Sequence, residues 1–180
     1  MDRETRPERH VAHWALNVFA FCIIALMLAV AVQVFANLFD INPLMRFDRT
    51  LFWLGDAVTL NSLLDLQWHL LAVVALLPAG LVWLQDRHVR VDFLYSRMAP
   101  RQKTAVDLVG HVLFAAPFLL LAAPAAWDFA ARALASGEGS RNGGLNDLWL
   151  IKSALPLGLA LLGAAVLWEA ARLLRELARR

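Results

Sequence analysis

Four stretches of this 180-residue chain contain no Asp, Glu, Lys or Arg: Val11–Phe39, Leu66–Leu84, Leu108–Trp127 and Ser153–Trp168. Nothing else in the sequence restricts the fold as strongly. A helix rises 1.5 Å per residue, so about 20 apolar residues cross the hydrocarbon core of a bilayer. The fourth run is slightly short. It reaches full length when Leu148–Ile151 join it and Lys152 snorkels to the interface. The runs are continuously apolar rather than alternating, which selects helices over barrel strands. Overall, 60% of residues are hydrophobic and 18% charged, against about a quarter charged in soluble domains. The expected fold is all-α, a single four-helix membrane domain with short amphipathic interfacial helices. The helices are placed at about 13–39, 63–84, 101–135 and 147–178. The first run is too long for a signal-peptide core and lacks a convincing cleavage site, so it is expected to remain as a membrane anchor.

Orientation follows from Lys and Arg. Arg3, Arg6 and Arg9 precede the first run. Arg87, Arg90, Arg97, Arg101 and Lys103 lie between the second and third, and Arg172, Arg175, Arg179 and Arg180 follow the fourth. The other two connections hold only Arg46, Arg49, Arg132 and Arg141. Twelve against four predicts cytoplasmic termini and a cytoplasmic linker at about 85–100. The net charge of +2 does not point to nucleic acid, because the basic residues flank membrane spans.

Between the first two spans, Asn42-Pro43 fits a helix start. Leu44, Phe47, Leu51, Leu54 and Val58 then recur at helical spacing. This predicts an amphipathic helix at about 43–55 on the outer membrane face, with Gly55 ending or bending it. The plainer alternative is a polar loop with scattered apolar residues, which Phe52-Trp53 keeps open. Ser62-Leu-Leu-Asp65 has the pattern of a capping box opening the second helix, and Pro78 predicts a kink within it. Val91, Leu94, Tyr95 and Met98 share a helical face, predicting a short interfacial helix with its arginines toward phosphates. Pro100 marks the next helix start. Asp128 and Arg132 are spaced for an i,i+4 pair. Residues 136–146 read as a polar outer loop. Gln33 and Asn37 near the outer end of the first helix suit interhelical hydrogen bonding.

The chain offers little chemistry of its own. Asp65, Asp107, Asp128, Asp147 and Glu169 all lie at span ends, whereas proton or substrate pathways place ionisable groups inside the bilayer. The single cysteine, Cys22, allows no internal disulfide and no cysteine-based metal site. No enzyme activity, metal or cofactor is expected. Haem held between histidines is the competing reading. His69 and His111 differ in depth by roughly 25 Å, which leaves His13 and His111 as the workable pair. Among the polar residues, Arg90 with Asp92 is the sharpest pair: a lock between helices or a partner contact, against ordinary positive-inside charge. Trp68 reads as an interface anchor or a partner contact. Lys152 reads as a snorkelling residue or a partner for Asp128.

Three places carry a family resemblance. Leu64-Asp-Leu-Gln-Trp-His69 opens the second helix. His88-Val-Arg-Val-Asp92, followed by Phe-Leu-Tyr95, fills the linker. Gly137-Glu-Gly-Ser140, Gly143-Gly144-Leu and Trp149-Leu-Ile-Lys152 with Pro156 lead into the fourth helix. Together they resemble the small membrane subunit of TRAP transporters, the tripartite ATP-independent periplasmic family, with Asp65 standing where that family would be expected to have Glu. The resemblance implies a bacterial inner-membrane scaffold for a large Na⁺-coupled permease subunit. It also implies uptake of an organic acid delivered by a periplasmic binding protein. Asp65, Trp68, His69, His88, Arg90, Asp92, Tyr95 and Lys152 become the partner or structural candidates, alongside membrane lipid. A self-sufficient small oligomeric transporter is the third reading.

Overall fold

The computed structural model describes residues 7–85 and 93–178, with side chains of the first helix from Leu16 onward. Helix α1 runs Pro7–Leu38. Strands β1 (Met45–Leu51) and β2 (Gly55–Val58) form an antiparallel hairpin. Helices α2 (Leu60–Leu76) and α3 (Ala79–Leu84) form the second span. A 3-10 turn at Tyr95–Arg97 leads to α4 (Pro100–Gly110). A π-helical turn at His111–Ala115 joins α4 to α5 (Ala116–Ser136). The short α6 (Trp149–Lys152) precedes α7 (Ala154–Ala178). Four helical segments in the described residues are long and apolar enough to cross a membrane: Leu16–Leu38, Leu60–Leu84, Pro100–Ser136 and Trp149–Ala178.

The amphipathic helix expected at 43–55 is a β-hairpin. Asn42-Pro43 is a cis peptide bond. Trp53 and Gly55 have φ of 69° and 74°, in the left-handed region that a right-handed helix excludes. Backbone bonds from Leu44 N to Val58 O (2.8 Å) and from Leu54 N to Phe52 O (2.9 Å) close the two ends. The misleading signal has a simple cause. A spacing of four, as between Phe47 and Leu51, puts two residues on one face of a helix and also on one face of a strand. Both are half-buried, and Arg46, Asp48, Arg49 and Thr50 are exposed.

The other helix boundaries follow from local chemistry. Thr59, not Ser62, caps α2: its hydroxyl accepts from Ser62 N at 3.1 Å, and Ser62 Oγ accepts from Thr59 N at 3.1 Å. The capping box therefore lies one turn before the expected one, which frees Asp65 for another partner. Pro78 separates α2 from α3, because it has no N–H to continue the ladder. Pro117 explains the π turn in the same way. It cannot donate to the preceding turn, and the ladder widens so that Ala116 N bonds to His111 O. Gly137, with φ of 59°, closes α5 in a left-handed cap.

The helices meet through small residues. A methyl group on Gly80 would lie 2.6 Å from Leu161 O, and one on Gly158 would lie 2.7 Å from Leu76 O. The second span and α7 therefore touch backbone to backbone. Ala126, Ala130 and Ala133 of α5 and Ala154, Ala165 and Val166 of α7 are likewise buried. Such close approach suits association in lipid, where packing rather than hydrophobic exclusion drives helices together. The Gln67 amide donates to the Gln33 side chain, linking α1 to α2, whereas Asn37 is exposed.

Candidate functional site

Two clusters stand at opposite ends of the bundle. The first is built where the hairpin, the start of α2 and the loop 137–148 converge. Leu145 N donates to Asp65 Oδ2 at 3.0 Å. Gly144 lies so close that any Cβ there would overlap the same carboxylate. Thr59 Oγ1 donates to Gly143 O at 3.0 Å, and the Asn61 amide to Asn142 O at 2.5 Å. Asn146 N donates to Trp53 O at 2.7 Å, and Ser140 N to Leu145 O at 2.9 Å. Leu145 itself is only 1% exposed. The glycine-rich stretch expected as a polar loop is thus a folded cap around one buried leucine.

His69 belongs to this cap. Its Nδ1–H donates to Asp65 O at 2.5 Å, and its ring meets Trp53 edge-on with centroids 6.0 Å apart. His69 Nε2 and Trp53 Nε1 are enclosed and have no hydrogen-bond partner among the described residues. Lys152 binds Glu138 Oε2 at 2.5 Å and sits 4.4 Å over the Phe129 ring. Its partner is therefore the loop carboxylate and not Asp128, which is exposed. No ion pair joins Asp128 to Arg132 among the described residues either. Trp68 is 63% exposed on the outside of α2.

The second cluster centres on His111, which is buried. Its Nδ1–H donates to Asp107 O at 2.6 Å, its Nε2 lies 3.7 Å from Glu169 Oε2, and its ring meets Trp83 edge-on at 5.5 Å. One residue thus touches α3, α4 and α7. Tyr95 Oη donates to Asp107 Oδ2 at 2.6 Å. Beside them opens a cavity of about 700 Å³, walled by Phe114, Phe118, Leu119, Leu162 and Val166. His69 and His111 lie in different clusters, as the depth argument requires, and the side chain of His13 lies outside the described part. Among the described residues no group of three His, Cys, Asp or Glu could hold a metal ion.

The linker helix expected through Val91 and Met98 is a 3-10 turn in its described half, with Leu94 outward and Tyr95 turned in. His88, Arg90 and Asp92 lie outside the described residues. The sequence reading singled out neither Thr59 nor Asn146, and it noted Gly144 and Leu145 only as part of a motif and Glu169 only as a span-end carboxylate, without their partners. The available signal was a lone leucine inside a Gly/Asn/Ser stretch.

A four-span helical membrane protein with a folded, non-helical cap at one end is the class that these features define. The chain belongs to the tripartite ATP-independent periplasmic transporters, DctQ component, the family that matches residues 47–176. This family is the small permease component of TRAP transporters, a transporter component and not an enzyme family. Its members work with a large permease, DctM, and a binding protein, DctP. A search of the curated proteins found no match.

Proposed function

We propose that this chain is the inner-membrane scaffold of a TRAP transporter, holding the large permease subunit that carries out Na⁺-coupled uptake of an organic acid delivered by a periplasmic binding protein. The observation that carries this reading is how little of each span the chain covers by itself. The buried shares are 6%, 11%, 6% and 22% along the four spans. Spans so open must be covered by lipid or by another membrane protein, and the family supplies a polytopic partner. The carboxylates of both clusters sit at span ends, which suits a support role rather than a substrate path.

The charge asymmetry orients the scaffold with both termini and residues 85–103 in the cytoplasm, and the hairpin cap facing the periplasm. The cap then stands on the side from which the binding protein arrives. A cysteine at Arg49 should react with a membrane-impermeant maleimide added to intact cells. Labelling only after lysis would reverse the orientation.

The test of the scaffold reading is a mild-detergent pull-down of the tagged chain, with partners identified by mass spectrometry. A stoichiometric large permease is expected. A chain that comes down alone, and that by itself transports solute into liposomes, would overturn the reading. Arg90 is proposed as a contact to the large subunit. Arg90→Ala should lower the recovery of the large subunit, and unchanged recovery with unchanged uptake would remove Arg90 from the interface.

A further inference from the structure

We infer that residues 93–103 form a contact for anionic phospholipid headgroups. Residues 93–106 contain Arg97, Arg101 and Lys103 and no acidic residue. Within the same stretch Phe93 is 66% and Leu94 67% exposed. Two bulky apolar side chains therefore project beside three cations. No carboxylate among the described residues lies within ion-pair distance of any of the three.

The position of this stretch relative to the membrane is fixed by Tyr95. Its hydroxyl is tied to Asp107, the residue immediately before the uncharged run Leu108–Trp127. Lys103 holds the other side of the ring, its ammonium 5.2 Å from the ring centroid. Tyr95 is therefore pinned at the edge of the hydrocarbon core. Phe93 and Leu94 precede it by two residues and one, so they lie within about 7 Å of it along the chain. Arg97 stands over the Phe93 ring at 4.8 Å, so charge and apolar surface meet in one place. A soluble acidic partner would match the arginines but would leave Phe93 and Leu94 at the bilayer edge without a role. A lipid satisfies both halves: its phosphate faces the guanidinium groups, and its acyl region receives the two apolar side chains. Zwitterionic lipid would contribute the apolar half without the net charge, so the preference is for an anionic headgroup.

This contact does not depend on the scaffold reading, because it can be read on the full chain alone. The chain in mild detergent would be titrated with mixed micelles of phosphatidylglycerol or phosphatidylcholine, and bound lipid counted by native mass spectrometry. Wild-type chain should retain phosphatidylglycerol in preference. Arg97→Gln with Arg101→Gln should reduce that preference by on the order of ten-fold, given a several-fold effect per basic group. Arg49→Gln with Arg141→Gln removes the same charge at the hairpin end and should leave it intact. Phe93→Ser with Leu94→Ser should weaken retention of both lipids. All six positions are exposed, and unchanged helix content and melting temperature would verify the fold of each variant. Equal losses from the two arginine pairs would overturn the proposal by showing only a net-charge effect. Displacement of the lipid by millimolar inorganic phosphate would also overturn it. So would an unchanged preference for phosphatidylglycerol in Arg97→Gln/Arg101→Gln.

Discussion

The two ends of the bundle are held by different kinds of contact. At the hairpin end, polar bonds join residues about eighty positions apart: Asp65 to Leu145, Thr59 to Gly143 and Asn61 to Asn142. Most of them use backbone atoms, so the cap has little room for alternative side-chain arrangements. At the other end the bonds are shorter in sequence, Tyr95 to Asp107 and His111 to Asp107. Of the polar contacts seen among the described residues at this end, the one that reaches α7 is the wider His111–Glu169 approach, at 3.7 Å, and a cavity of about 700 Å³ remains beside it. The difference separates two tasks. The first end fixes the geometry of a surface made from three distant segments. The second keeps helix ends together while leaving their sides open at the membrane edge.

The comparison breaks most directly at Gly144. Gly144→Val should drive a side chain into the Asp65 carboxylate and Ser140 Oγ, expelling Leu145 from its pocket. Overpacking of this kind costs about 1–3 kcal/mol, with the lost bonds added. We expect most of the folded protein to be lost, measured as the monodisperse fraction after detergent extraction. A valine variant that extracts and melts like wild type would show that the cap is not locked. Asp65→Ala should be milder. It leaves Leu145 N–H without its acceptor, a loss of about 1–3 kcal/mol, and should lower the melting temperature of the extracted chain. Asp65→Asn keeps an acceptor oxygen and should recover most of the difference. Equal losses in Ala and Asn would assign the effect to the carboxylate charge instead of the hydrogen bond.

The cap also shows where sequence reasoning stops. The spans were legible because each is encoded by its own apolar run, and Pro78 and Gly137 mark local breaks that need no distant partner. Asp65 and the Gly143-Gly144-Leu145 stretch were both picked out by family resemblance, yet as separate motifs. The structure makes them one contact, since the glycine is small so that the carboxylate can reach the next N–H. Nothing in either motif encodes a pairing across about eighty residues. The hairpin failed for a different reason: the spacing of Phe47 and Leu51 fits two periodicities, and the turn at Trp53 to Gly55 decides between them. Lys152 was legible as a residue near the interface, but its partner, Glu138, sits in a loop whose path only the folded cap defines.

The smallest expected effects sharpen the comparison. Lys152 and Glu138 are 20% and 37% exposed in their side chains, so solvent screens much of their attraction and a coupling below about 1 kcal/mol is expected. A double-mutant cycle with Lys152→Met and Glu138→Gln should show that coupling shrinking between low and high salt. At the opposite end, Tyr95→Phe removes the hydroxyl that donates to Asp107 and keeps the ring. Hydrogen bonds in membrane proteins average about 0.6 kcal/mol, so the melting temperature should fall by less than for Asp65→Ala. The phenylalanine ring still supports Lys103, so Tyr95→Phe should leave the turn in place. If Tyr95→Phe instead costs as much as Asp65→Ala, the linker end is locked as firmly as the cap, and the division of tasks between the two ends fails.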